Sequence, residues 1–169
     1  NNMISAIVTY TGRNNLQRVG RTLTQARNNY RVIGTQIVDT NAEIFYNTLM
    51  EVISEQNFKP LNLEYKARKS LLGLSTNILM ATTEYVSSIK IRRINSGGAL
   101  SSRHVGVDAN AVHSPSGMPM SELAIIHEYG TSDGRIPPRP HYTTAWGRCK
   151  DKVRQNTLAY ARSIMTGRR

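Results

Sequence analysis

The chain has one cysteine, Cys149, in 169 residues, which excludes an internal disulfide framework and any site built from several thiolates. No apolar run approaches the ~18 residues needed to span a bilayer. The opening stretch NNMISAIVTYTG has neither the charged start nor the long apolar core of a secretory leader. The expectation is a soluble protein made in the cytoplasm, with Cys149 packed inside the last helix. Aromatic residues are scarce, at 7%, and are not interleaved with the basic ones as a base-stacking platform would require. Acidic residues are few as well: 11 against 22 Lys and Arg, a formal charge of +11. That balance favours polyanionic partners or acidic protein surfaces, or serves solubility. The surplus gathers at both ends. Arg13, Arg18, Arg21, Arg27 and Arg31 share a stretch with no acid, and the tail from Arg135 to Arg169 holds nine basic residues against Asp151.

Catalytic and metal-binding patterns are missing too. His127-Glu128 opens a zinc-protease pattern, but the second His must follow the first by four residues and Thr131 stands there. His104, His113, His127 and His141 are scattered, without the spacing of a metal site. Gly97-Gly98 is followed by ALSS, not by the Lys-Ser or Lys-Thr of a phosphate loop. No enzyme, cofactor or metal is expected. A small hydrolase would need His127 and Glu128 in a cleft with a displaced pKa.

Hydrophobic periodicity supplies the positive content. Ile4, Ala6 and Val8 alternate as a strand over residues 4–10. Leu16, Val19, Leu23, Ala26, Tyr30, Ile33 and Ile37 step by three and four, and after a polar step near Asn41 the stripe resumes with Ile44 or Phe45, Leu49, Val52 and Ile53. If unbroken, residues 15–55 make a rod of about 60 Å; NNY at 28–30 or Gly34 could split it. Such a helix overshoots its own core, so it either lies across its own sheet or packs in part on a neighbouring subunit.

Pro60 interrupts the chain, a basic helical turn EYKARKSLLGLS closes at Gly73, and STNILMATTEY reads as helical. Residues 86–94 then alternate as a strand, with Ile89 and Ile91 opposite Lys90 and Arg92, and residues 103–108 return as its hairpin partner. Arg92, Arg93 and Arg103 on this hairpin, with Arg18 and Arg21, are the candidates for basic contact. Residues 109–121 lack periodicity, so a mobile region is expected at about 95–121 that orders against a neighbour. Thr143 or Thr144 can cap a closing helix with Trp146, Cys149, Val153, Tyr160 and Ile164 on one stripe.

The organising stretch is Leu123 to Pro140, LAIIHEYGTSDGRIPPRP. A helix through His127 should end near Tyr129 because Gly130 tolerates positive φ. Thr131 to Gly134 suit a turn, with Thr131 bonding local backbone. Pro137, Pro138 and Pro140 stiffen the segment beyond that turn and hold Arg139 on a rigid strap. Glu128 lies at the helix end, where the macrodipole disfavours an anion, so a cationic partner is expected, and Arg139 is the candidate. Tyr129 is expected in the core.

HEYGT, a short insert and then PPRP resemble the "H-E-[F/Y]-G-T … P-x-R-P" pattern of the tail-completion, or head–tail joining (neck), proteins of long-tailed bacteriophages. The matching residues are His127, Glu128, Tyr129, Gly130, Thr131, Pro137, Arg139 and Pro140, about a tenth of the chain, and the flanking order of elements is similar. At His141 the family more often has an aromatic residue. The resemblance implies a virion structural protein in a homohexameric ring at the head–tail junction, between the connector and the tail tube or terminator proteins, around the DNA path. The expected fold is a single α+β domain over residues 1–169, a small, mostly antiparallel sheet packed against a long N-terminal helix and a C-terminal helix. A basic nucleic-acid-binding protein is the alternative.

Overall fold

The computed structural model describes residues 13–94 and 102–166. The strand expected at 4–10 and the hairpin tip at 95–101 lie outside the described residues. The architecture is α+β: a two-stranded antiparallel sheet packed against a long N-terminal helix and a C-terminal helix.

Helix α1, Arg13–Glu55, is one unbroken element of 43 residues, so it extends roughly 64 Å at ~1.5 Å per residue. Neither Gly34 nor the Asn28–Tyr30 stretch breaks it. Among the described side chains of its apolar stripe, Leu49, Val52 and Ile53 are buried, while Val19 and Tyr30 are half exposed. The helix stops where Gln56 takes φ 55°. The Gln56 amide then reaches across the fold, accepting from Ile78 N at 2.6 Å and donating to Ile78 O at 3.1 Å.

That bond decides the next segment. After α2, Leu63–Leu71, which Asn62 caps through Glu64 N at 2.9 Å, Gly73 turns the chain at φ 67°. Residues 75–83, expected to be helical, are irregular instead. The Gln56 amide takes both backbone polar groups of Ile78, and Leu79 and Thr83 adopt positive φ so that Ile78 and Leu79 reach the core. Tertiary bonding overrides local helix preference here. Only α3, Glu84–Ser88, is helical, and it takes the first residues of the strand expected from 86.

Strands β1, Ile89–Ile94, and β2, Ser102–Val107, pair antiparallel with Ile89 opposite Val107 and Arg93 opposite Arg103. Ile89 and Val107 enter a core shared with Leu49, Val52, Ile53, Ile78, Leu79, Tyr85, Met120 and Ala145. Residues 108–119, part of the region expected to be mobile, bond among themselves and to α3 and α4. His113 N donates to Met118 O at 2.8 Å, Met120 N to Ala111 O at 2.8 Å, and Ser114 N to the Glu84 carboxylate at 3.1 Å.

Helix α4, Met120–Tyr129, leads through the strap into α5, His141–Thr166, which runs antiparallel along α1. Asn41 bonds Asn156 at 2.8 Å and Thr157 at 2.9 Å, Phe45 meets Trp146 edge-on at 6.1 Å, and Arg148 forks onto Glu55 at 2.7 and 2.8 Å. Cys149 is buried on this face, as expected.

Candidate functional site

The motif folds into one interlocked unit, a latch that joins the end of α4 to the start of α5. Its first part is Gly130. The α4 helix closes with Gly130 N on Ile126 O at 2.8 Å, and Gly130 then adopts φ 78°, ψ −177°. A Cβ there would stand 2.7 Å from Ile136 O and 2.9 Å from Pro138 N. Glycine is therefore required twice, by its dihedrals and by the strap lying directly on it.

The turn between them is closed by its own side chains. Thr131 N donates to Ile136 O at 3.0 Å, Ile136 N to Thr131 Oγ1 at 3.0 Å, and Thr131 Oγ1 to Asp133 Oδ1 at 2.6 Å. The Thr131 hydroxyl and the Arg135 N–H hold the Asp133 carboxyl below its usual range. Thr131 thus bonds local backbone, as the turn chemistry predicts. Pro137, Pro138 and Pro140 carry the strap past the helix end. Pro138 and Pro140 face outward and Arg139 inward, where its N–H donates to His127 O at 2.7 Å.

Glu128 is where the sequence-based expectation is corrected. It does not pair with Arg139. Its carboxylate, 5% exposed, accepts from Thr143 N at 2.9 Å and Tyr142 N at 3.0 Å, the free amides of the first turn of α5. Four N–H groups at a helix start lack helical partners and carry partial positive charge. A carboxylate from a distant helix satisfies two of them. Thr143 and Thr144 are consequently not caps. Helix α5 begins at His141, and Thr144 instead returns its hydroxyl to Pro140 O.

His141 sits at the centre of the latch, fully buried. Its Nδ1 lies 2.8 Å from Arg139 O and 3.3 Å from Glu128 Oε2, both acceptors, so that nitrogen carries the proton. Its Nε2 then accepts from the Tyr85 hydroxyl at 2.6 Å. Burial lowers the His141 pKa and raises that of Tyr85. His141 thus places a flat ring in the latch and ties it down with hydrogen bonds at both nitrogens. His127 packs edge-on to Tyr85 at 5.1 Å, its Nδ1 enclosed without a partner. Burial first, then the charges of His141 and Arg139, push its pKa down to about 4.

Tyr129, expected in the core, is 73% exposed. The buried Glu128 fixes which face of α4 turns inward, and the next residue points away. The basic candidates divide. Arg92 pairs with Asp108 and Arg103 with Asp39, whereas Arg93 and Arg21 are exposed. The Arg18 side chain lies outside the described ones. No His, Cys, Asp or Glu cluster suited to a metal occurs among the described residues. The pocket against the strap, lined by Val52, Phe58, Pro138, Pro140 and Arg148, holds about 120 Å³, below the roughly 300 Å³ of a typical ligand site. Sequence reasoning missed the roles of His141, Tyr85 and Gln56. Each acts through a partner at least 22 residues away, and His141 alone was marked, by its departure from the pattern.

No family model, curated protein or solved structure matches the chain.

Proposed function

We propose that this chain is a structural virion protein that assembles into a homo-oligomeric ring, a hexamer, at the head–tail junction of a long-tailed bacteriophage. It joins the tail to the capsid connector and surrounds the path of the DNA. The observation that carries this reading is the internal use of the motif. Glu128 caps α5, Gly130 admits the strap, Thr131 closes the turn, and the Arg139 backbone ties the strap to α4. Both Glu128 oxygens are taken by backbone N–H groups, which argues against the hydrolase reading of His127 and Glu128.

The surface supports self-assembly. With Asn41 level with Asn156 and Thr157, α5 has about ten residues left and ends near the level of residue 31. The preceding part of α1 therefore runs on past α5, with Val19 and Tyr30 each 49% exposed, and Val32, level with the end of α5, is 59% exposed. Ile125, Tyr129 and Trp146 are also more than half exposed. Large apolar side chains in such number suit burial between subunits better than contact with water. Arg21 and Arg93 would face acidic partner rings or the DNA.

The test is the mass of the purified protein by light scattering across concentration and salt. A discrete species of about six chain masses, formed alone or on adding tail tubes, is the expected result. A stable monomer that ignores heads and tails, yet binds duplex DNA with an affinity falling steeply with salt, would overturn it in favour of nucleic-acid binding.

A further inference from the structure

Helix α2 is turned inside out. Of its nine residues only Lys69 is buried, with its ammonium donating to Asn77 O at 3.2 Å. At ~3.6 residues per turn, the direction opposite Lys69 belongs to Leu63, Ala67 and Leu71, a single stripe at i, i+4 and i+8. Leu63 is 84% exposed and Leu71 88%, and Ala67 is exposed between them. A surface helix ordinarily turns its apolar stripe to the core, and a helix this short draws most of its stability from that packing. Among the described residues nothing covers this stripe.

The chemistry of the stripe fits a copy of itself. Ala67 is a notch between two leucines, where the backbone of another helix can come close, and i±4 rows are the ridges that interdigitate in the commonest helix crossing. In an antiparallel pair with its two-fold axis at Ala67, Leu63 of each chain lies level with Leu71 of the other. The charges match as well. Glu64 and Arg68 share one flank of the stripe, both exposed and in no ion pair among the described residues. The two-fold axis keeps that flank on one side of both helices, so Glu64 of each chain stands within a ~3 Å axial step of Arg68 of the other. Lys66 lies on the opposite flank, turned back from the crossing. A lipid surface would instead call for a broad apolar face rimmed by cations, whereas Glu64 borders this stripe and Ala67 indents it.

We infer that α2 is a self-association surface, pairing antiparallel with the α2 of a second copy so that Leu63 and Leu71 of both chains are covered and Glu64 of each meets Arg68 of the other. The contact uses the same patch on both chains, so it cannot close a ring. The inference therefore goes beyond the ring reading and does not rest on it: α2 joins whichever species the chain forms, monomer or ring, to a second one. The patch is small and belongs with the transient contacts that bury less than ~1,200 Å².

The test is light scattering on the full chain from ~1 μM to ~1 mM, the range expected of a contact below standard size. The mass should double with concentration, to a pair of chains from a monomer or a pair of rings from a ring, so failure of the ring reading shows separately in the starting mass. Leu71→Ala, at an exposed position, should raise the midpoint concentration about tenfold or more, because the change acts twice in each pair. Glu64→Arg and Arg68→Glu should each suppress doubling alone, and an equimolar mixture of the two should restore it, since both charge pairs are attractive in the mixed species. A wild-type mass that never doubles overturns the inference. So does doubling unchanged in Leu71→Ala, or a mixture of the charge variants that stays apart. Binding to anionic lipid vesicles that Leu71→Ala removes, with no doubling in their absence, would give the stripe to a membrane surface and overturn it equally.

Discussion

Gly130→Ala tests the latch at its tightest point. The Gly130 dihedrals of 78° and −177° fall in a region that is essentially glycine's own, so an alanine there costs ~1–3 kcal/mol. The added methyl would meet Ile136 O at 2.7 Å and Pro138 N at 2.9 Å. Both are backbone atoms of a strap anchored by Thr131 N on Ile136 O and Arg139 N on His127 O, so relief requires moving the strap. Overpacking of this kind costs ~1–3 kcal/mol more. The sum, about 4 kcal/mol, is a large part of the roughly 5–15 kcal/mol that holds a domain folded. It corresponds to a fall in Tm of roughly 8–16 °C for a chain of this length. Gly117→Ala supplies the control, because Gly117 also has positive φ, at 67°, but nothing within 4 Å of its Cβ position. It should lose only the backbone part, about 1–2 kcal/mol. Urea denaturation of the three proteins measures the difference. If Gly130→Ala is no less stable than Gly117→Ala, the strap does not press on Gly130 and the latch is wrongly described. Gly130→Val, with a branched side chain at positive φ, should abolish folding or assembly outright.

Two further outcomes concern the same unit. Glu128→Gln keeps the shape but replaces one carboxylate oxygen by an NH₂ that cannot accept from Tyr142 or Thr143 N. The loss of one charge-assisted bond and of the favourable charge at the α5 N-terminus should lower stability by about 2–3 kcal/mol; a change within about 0.5 kcal/mol by urea denaturation would remove Glu128 as the cap. For His127 the folded pKa of about 4 lies below the unfolded value of 6.5. A lowered imidazole pKa means that the unfolded chain takes up the proton first. The stability from the neutral ring is therefore full above about pH 6.5 and is lost as pH falls towards 4, by up to ~3 kcal/mol. Denaturation midpoints between about pH 7.5 and 4.5 should fall accordingly, and His127→Phe, which keeps the ring against Tyr85, should flatten the slope. An unchanged slope would mean that His127 is already solvated.

The sequence by itself determined what local chemistry controls. The 3.6-residue stripe marks α1 through Ile53, glycines at positive φ close α2 at Gly73 and α4 at Gly130, and alternation marks β1 and β2. Thr131 was legible as a turn-former because its bonds to Asp133 and Ile136 span five residues or fewer. Tertiary structure decided the rest, because the deciding partners are remote in the chain. Gln56 takes Ile78 and so unwinds a segment whose composition favours helix. Glu128 has two chemically suitable partners in the sequence, a nearby Arg and a helix start fourteen residues on, and only the fold places the amides of Tyr142 and Thr143 against it. The same choice turned Tyr129 outward and left Arg139 buried with no ion pair of its own among the described residues. Periodicity records which face of an element is apolar, but a single buried charge is indifferent to periodicity, and its partner is set by whichever polar group the packing brings within about 3 Å.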